Sequence, residues 1–310
     1  MKIPHRTTLF LFTVISLLFS SCSAGITSGN GSDGTIKVLA VESFLADIAQ
    51  NVAGKRLKVD TLIPLGVDPH AYEPTPQDVA KIADSQILII NGAHLESWLD
   101  KTLLNAGGKH IVIEASAGLP SRKPTANEAL DPNQVGDPHF WLDPTKVMHY
   151  VEKIRDGLTK ADPEGEKVYA QNADNYISQL DDLDNWIKAK VNTIPPQKRL
   201  LVTNHESFGY FADQYGFSIV GTVIPSTSSE AAPSAQQMAA LIDTIKQMGV
   251  KAIFLETGAN SQLADQIAQE TGAAVITDLY THSITGLNGE APTYIDMMKH
   301  NVKLIVDALK

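Results

Sequence analysis

Short apolar, β-branched runs alternate with amphipathic stretches along most of this 310-residue chain, and this rhythm limits the possible folds more than any other feature. The predicted strands are residues 36–41, 57–63, 87–90 and 110–113 in the first half, and 199–203, 218–223, 251–256 and 273–277 in the second half. Helical patterns such as SFLADIAQNVAG and TPQDVAKIADS separate the first strands, and helices are predicted at residues 207–215, 234–248, 260–271 and 292–309. Strands that are apolar on both faces and joined by helices form parallel sheets covered on both sides. We predict an α/β protein with two lobes, each a four-stranded parallel sheet flanked by helices.

A long helical pattern lies between the two groups of strands, at residues 163–194. Apolar residues recur there at helical spacing, and Pro195 and Pro196 end the pattern. A helix of about 28 residues is roughly 42 Å long. We therefore expect one long rigid helix to join an N-terminal lobe, residues 36–162, to a C-terminal lobe, residues 195–310.

The first 21 residues have the pattern of a secretory signal peptide, with Lys2 and Arg6 before an apolar run and small residues after it. Cys22 is the only cysteine, and it stands where a bacterial lipobox has its lipid-modified cysteine, although Phe19 occupies a position where Leu, Val or Ile is usual. We predict a lipid anchor on Cys22 and a flexible Gly/Ser-rich tether over residues 22–35. A simple signal peptide with an incidental cysteine is the alternative.

The chain is acidic, with 35 Asp and Glu residues against 25 Lys and Arg residues. Such a surface makes nucleic acid a poor partner and does not repel cations. Since Cys22 has no second cysteine to pair with, an exported form must depend on its core rather than on disulfides. We expect a monomer.

Two proline-flanked loops resemble each other and each presents a histidine. Residues 67–76 read VDPHAYEPTP around His70, and residues 136–144 read GDPHFWLDP around His139. Proline restricts the backbone on both sides of it, so these loops hold their histidines in place.

Two further histidines, His205 and His282, lie near predicted strand ends in the second half. Ligands of open parallel sheets sit beyond the carboxyl ends of the strands, so two histidines from each lobe can reach one ion between the lobes. We predict a transition-metal site formed by His70, His139, His205 and His282. Asp278, which also follows a strand, is the alternative fourth ligand, and the remaining histidines are interpreted as ordinary: His5, His94, His110, His149 and His300.

Acidic residues near these histidines are candidates to orient the imidazoles through their second ring nitrogen. Asp68 and Glu73 flank His70, and Asp137 and Asp143 flank His139; Asp143 has an equally good interpretation as the N-cap of a helix that begins at Pro144. Glu206 and Glu256 are the corresponding candidates in the second half, with solvent exposure as their alternative.

The motifs DPHAYEPTP, DPHFWLDP, NHESFGYF and LYTHSITG, with the lipobox and the long helix, resemble the zinc- and manganese-binding lipoproteins of bacterial metal ABC importers from Ile36 onward. The resemblance implies a metal in the cleft between two lobes and delivery to a membrane permease. Its first three ligand positions match His70, His139 and His205, and histidine at the third is typical of zinc receptors, whereas glutamate is typical of manganese receptors. The fourth is usually aspartate, where this chain has His282.

We predict an extracytoplasmic receptor, anchored to the bacterial cell membrane, that captures a zinc ion and delivers it to an ABC permease. A manganese receptor is the alternative, and a secreted zinc hydrolase is a weaker one. Hydrolytic zinc keeps a position open for water, whereas four protein ligands fill the coordination sphere, and Gly209 replaces the second histidine of an HExxH motif that begins at His205. We therefore expect no enzymatic activity.

Overall fold

A computed structural model of the chain describes Met1, residues 36–122 and residues 136–310. Cys22, the tether and all but the first residue of the predicted signal peptide lie outside the described residues. No helix in the described ranges combines the length and the apolar character needed to cross a bilayer.

The first sheet contains four parallel strands in the order β2-β1-β3-β4. These are β1 (Val38–Ala40), β2 (Val59–Thr61), β3 (Ile87–Ile90) and β4 (Ile111–Glu114), and the helices that alternate with them are α1 (Ser43–Ala53), α2 (Pro76–Asp84) and α3 (Leu99–Ala106). β1 and β3 are buried on both faces, as their uninterrupted apolar sequences predict.

Two helices follow the first sheet, α4 (Pro144–Ala161) and α5 (Glu166–Val191), with a 3₁₀ turn at Pro163–Gly165 between them. Asp143 caps α4 by accepting a 2.9 Å hydrogen bond from the Thr145 N–H, so the helix begins at Pro144 as its N-cap interpretation predicts. α5 has 26 residues, which makes it about 39 Å long. Its buried face carries most of the apolar residues that recur at helical spacing, together with Asp184: Tyr169, Ala173, Tyr176, Leu180, Leu183, Ile187 and Val191.

The second sheet repeats the arrangement of the first, with the order β6-β5-β7-β8 and all strands parallel. Its strands are β5 (Leu200–Thr203), β6 (Ser218–Thr222), β7 (Ala252–Glu256) and β8 (Ala274–Leu279), and its helices are α6 (Gly209–Tyr215), α7 (Ala235–Met248), α8 (Gln262–Thr271) and α9 (Tyr294–Leu309). The predicted fold class, two four-stranded parallel sheets with a long helix between them, is confirmed.

Residues 36–310 form one compact unit. A single buried apolar cluster includes residues of α1, α4, α5 and α9 together with residues of both sheets. The boundaries that we predict between the lobes, at residues 162–163 and 194–195, stay predictions.

Candidate metal centre

The four predicted histidines, His70, His139, His205 and His282, meet at one point, and one ring nitrogen of each lies within 4.8 Å of those of the other three. His139 Nε2 is 3.2 Å from His70 Nε2 and 3.1 Å from His205 Nε2. The side chains of His139 and His205 are fully buried. A tetrahedral zinc ion with bonds of about 2.0–2.1 Å requires nitrogens ~3.3–3.4 Å apart, and the two distances from His139 Nε2 are close to this value.

The loop that carries His70 is held by hydrogen bonds within the loop and from Trp98. Asp68 Oδ1 accepts a 2.9 Å hydrogen bond from the backbone N–H of His70, so this carboxylate holds the backbone rather than the imidazole. Trp98 Nε1 donates to the Pro69 carbonyl over 3.1 Å. Thr75 then caps α2 in a capping box. Glu73, the other acid expected near this ring, is exposed.

His139 is held from both sides of its loop. Asn91, at the end of β3, donates a 3.1 Å hydrogen bond to the Pro138 carbonyl. On the other side, Trp141 Nε1 donates to the Thr281 carbonyl over 2.6 Å, and this bond ties the His139 loop to the loop that carries His282. Asp137 Oδ1 accepts from His139 Nδ1 over 2.8 Å, as a carboxylate that orients a metal ligand does.

The order of strands in the second sheet explains why one glutamate serves two histidines. β7 lies between β5 and β8, so Glu256 at its carboxyl end stands between His205, which follows β5, and His282, which follows β8. Glu256 Oε1 is 2.6 Å from His205 Nδ1, although the ring N–H is not aimed straight at it, and Oε2 is 3.4 Å from His282 Nδ1. Asn301 of α9 holds the segment that leads from β8 to His282. It accepts a 2.9 Å hydrogen bond from the N–H of Tyr280 and donates a 2.7 Å bond to the carbonyl of the same residue.

These contacts decide which ring nitrogens carry protons. A carboxylate only accepts hydrogen bonds, so the bond to Asp137 keeps the proton of His139 on Nδ1, and the nearby Glu256 oxygen favours the same tautomer in His205. In these tautomers the two Nε2 lone pairs face each other over 3.1 Å. The Nε2 atom of His282 is also buried, and it has no hydrogen-bond partner in the described part of the chain. Facing lone pairs repel each other unless a positive charge lies between them, so the cluster is built for a cation.

The pKa values of the imidazoles differ because burial and neighbouring charges act on them to different extents. Burial lowers the pKa of His70 to about 3, and the charges of His282 and His205 add to the effect. Burial also holds the pKa of His139 well below its usual range. Burial acts in the same direction on His282, but the charges of Glu256 and Asp68 together outweigh it and raise the pKa of that ring above the ordinary value. In the metal-free protein, His282 therefore protonates more readily than His70 and His139.

The other candidate residues lie outside the cluster. Asp278, the alternative fourth ligand, is exposed and adopts a left-handed backbone conformation with φ of 70°. Glu206 is buried, and its backbone N–H donates to the Ser226 carbonyl. The remaining described histidines also lie elsewhere, namely His94, His110, His149 and His300, whereas His5 is outside the described residues.

Comparisons with known proteins show the family to which the chain belongs. The family described as "Zinc-uptake complex component A periplasmic" matches residues 38–308 of the chain. The chain belongs to this family. It is 36% identical to the manganese-binding lipoprotein MntA of Halalkalibacterium halodurans over 302 residues, which cover 97% of each protein. It is 31% identical to the manganese ABC transporter substrate-binding lipoprotein PsaA of Streptococcus anginosus over 99% of each protein.

Solved structures of the family have the same architecture. The Mn-bound periplasmic metal binding protein of Candidatus Liberibacter asiaticus aligns with a TM-score of 0.79 and 30% identity, over 89% of this chain and all of that one. The chain is thus a substrate-binding protein of the metal ABC transporter type and not an enzyme.

Proposed function

We propose that this protein captures a divalent transition-metal ion with His70, His139, His205 and His282 and delivers it to an ABC permease. The observation that carries the proposal is the convergence of four imidazoles from four separate loops, with all donor atoms within 4.8 Å. Carboxylates lie against the Nδ1 atoms of His139, His205 and His282, which turns three Nε2 lone pairs inward. Such an outer shell is typical of a metal site.

The donor set favours zinc. Imidazole is a borderline ligand that suits zinc, whereas manganese binds carboxylate and carbonyl oxygens better and stands below zinc in the general affinity order. The carboxylate closest to two of the rings, Glu256, contacts their Nδ1 atoms and thus supports the ligands from outside the cluster. Four neutral nitrogen donors within 4.8 Å of one another suit Zn²⁺, which commonly takes four ligands.

Manganese is the second candidate, and the comparisons favour it over zinc. MntA and PsaA are named for manganese, and the Candidatus Liberibacter asiaticus protein holds manganese in its structure. The family description, in contrast, names zinc uptake. Relatives and donor chemistry thus point to different ions, and the deciding feature is the imidazole of His282 at the fourth position.

Direct competition between the two ions tests the metal assignment. The protein is purified without added metal, its metal content is measured by elemental analysis, and the apo form is titrated with Zn²⁺ and with Mn²⁺ in calorimetry, each alone and against the other. We expect one ion per chain and zinc displacing manganese by at least about 100-fold in affinity. Preferential manganese binding would overturn the zinc assignment, and binding of neither ion would overturn the receptor function.

The membrane anchor and the permease are further parts of this proposal. Relatives such as PsaA are named as lipoproteins of ABC transporters, and Cys22 stands where their anchor is expected. In cell fractionation, Cys22→Ala should move the protein from the membrane to the soluble extracytoplasmic fraction. A Cys22→Ala protein that stays in the membrane fraction would contradict the lipid anchor.

A further inference from the structure

A cavity of about 750 Å³ lies beside the four-histidine cluster, on the side of the second sheet. Its walls come from the segments that follow the carboxyl ends of β5, β6, β7 and β8, and from residues 65–68 of the loop that carries His70. An ion enclosed by four imidazoles needs only a small part of this volume. Most of the cavity therefore lies outside the space that a bound ion would fill.

The cavity meets the cluster at His282. Of the four histidines, only His282 is among the residues that line the cavity: it is 8% exposed, His139 and His205 are 0% exposed, and the part-buried His70 does not line it. Its Nε2 atom is buried and has no partner within the described residues. An ion that crosses the cavity thus reaches His282 before the two fully buried histidines.

The charge of the walls suits a cation. Asp68 and Glu256 line the cavity, and no lysine or arginine is present among the described residues that line it. A cleft with charges of one sign concentrates ions of the opposite sign and speeds their association by about 10–10³-fold. Hydroxyl and amide side chains, among them those of Asn204 and Thr257, add further oxygen atoms to the cavity walls.

The two carboxylates have different partners. Glu256 lies against the imidazoles of His205 and His282. Asp68 uses Oδ1 for the backbone N–H of His70, while its Oδ2 accepts a hydrogen bond from the Ser229 hydroxyl. Ser229 belongs to the segment after β6 and also lines the cavity, so this bond joins the two halves of the protein across it. Serine is a neutral partner that an arriving cation can replace at Oδ2.

We propose that Asp68 is a capture site for the incoming metal ion, at which a divalent cation still carrying water binds Oδ2, displaces the Ser229 hydroxyl and then passes to His282. This inference rests on the proposed function. It assigns to Asp68 a contact with the ion on its way in, distinct from the four ligands of the bound ion. The hydroxyl of Ser229 closes the site when no ion is passing.

Stopped-flow tryptophan fluorescence tests the capture site with Zn²⁺ alone as the probe. The Trp141 ring lies 5.1 Å from the His139 ring and 6.0 Å from the His282 ring, so its emission reports ion arrival. In Asp68→Asn, the association rate should fall about tenfold at low ionic strength, and its salt dependence should weaken. The Asn carbonyl keeps the acceptor for the His70 N–H, so the loop stays in place. In Ser229→Ala, the association rate should rise about fivefold, because the competing hydrogen bond is gone.

Two control variants separate this role from general effects. Asp307→Asn removes an equal charge at an exposed position of α9, and Ser228→Ala removes a hydroxyl from the same segment as Ser229; both should bind Zn²⁺ at the wild-type rate. Wild-type association rates in both Asp68→Asn and Ser229→Ala would overturn the proposal. So would a loss of equilibrium affinity in Asp68→Asn at an unchanged association rate, since Asp68 would then act on the bound ion. Failure of the wild type to bind any ion would instead reject the proposed function.

Discussion

Asp137 accepts a 2.8 Å hydrogen bond from Nδ1 of His139, and this bond directs the Nε2 lone pair of the fully buried imidazole into the cluster. Replacing Asp137 by asparagine keeps the shape but allows the side chain to donate, which removes the preference for a proton on Nδ1. We expect Asp137→Asn to weaken metal binding by about 10–100-fold. Chelator competition measures the change, and Asp60→Asn, an exposed position in β2, should match the wild type. Unchanged affinity in Asp137→Asn would show that packing alone orients His139.

The fourth ligand can be identified by comparing His282→Ala with Asp278→Ala. Since the imidazole of His282 is in the cluster and Asp278 is exposed, His282→Ala should lose zinc affinity by about 100-fold or more, whereas Asp278→Ala should bind as the wild type does. Calorimetric titration measures both. The reverse pattern would transfer the ligand role to Asp278.

Metal affinity should fall as the pH drops, and the fall should begin above the ordinary histidine pKa of about 6.5. Protons compete with the metal for the imidazoles, and Glu256 raises the pKa of His282 even though burial opposes it. His70, whose pKa burial lowers to about 3, contributes little competition near neutrality. Apparent affinity measured between pH 5 and pH 8 checks this, with Glu256→Gln as the comparison. That variant removes the charge beside His282, so its affinity should begin to fall at a lower pH.

Metal binding should change the arrangement of residues 36–310 very little. α5 packs its apolar face into a core that is continuous with α1, α4 and α9, so a wide hinge motion would break buried contacts. Small-angle scattering of the metal-free and metal-bound forms should give equal radii of gyration within error. A large compaction on binding would contradict the rigid connecting helix.

A buried carboxyl pair away from the metal site predicts a pH-dependent stability. Burial raises the pKa of Glu42 well above its usual range, and the nearby Glu96 raises it further; both Glu42 oxygens are without a hydrogen-bond partner among the described residues. Between the unfolded and folded pKa values of Glu42, the folded state holds a proton that the unfolded state lacks. Its contribution to stability is therefore full below the unfolded pKa and is lost by about 1.4 kcal/mol per pH unit as the pH rises.

Glu42→Gln removes this titration. In urea unfolding at pH 5 to 8, the variant should gain stability over the wild type steadily with pH. Glu73→Gln, an exposed position, should follow the wild type at every pH. Parallel stability curves for the wild type and Glu42→Gln would show that the pair does not hold the extra proton.

The sequence predicted the positions of strand ends well, and the metal cluster followed from them. The loops of His70 and His139 could be predicted because the prolines that restrict their backbone are close to the histidines in sequence. Both sheets are also present as expected, because short strands that are apolar on both faces are buried most readily in a parallel sheet covered by helices. α3 and α4 were not among the predicted helices, although the Asp143 cap was one of the two interpretations offered for that residue.

The contacts between distant segments needed the structure. Glu256 contacts two histidines only because β7 lies between β5 and β8. The order of strands in a sheet cannot be predicted from the local sequence of any one strand. The bond from Trp141 to Thr281 and that from Ser229 to Asp68 join residues far apart in sequence. A tryptophan or a serine in a loop carries no signal for such a partner.

Asn301 bonds both backbone groups of Tyr280 and so connects α9 (Tyr294–Leu309) to the four-histidine cluster. None of the four histidines lies on this helix. The position of the His282 imidazole nevertheless depends on how α9 is packed, because the two bonds fix the backbone two residues before it. A change in the packing of α9 would therefore reach the cluster through the backbone of a single residue.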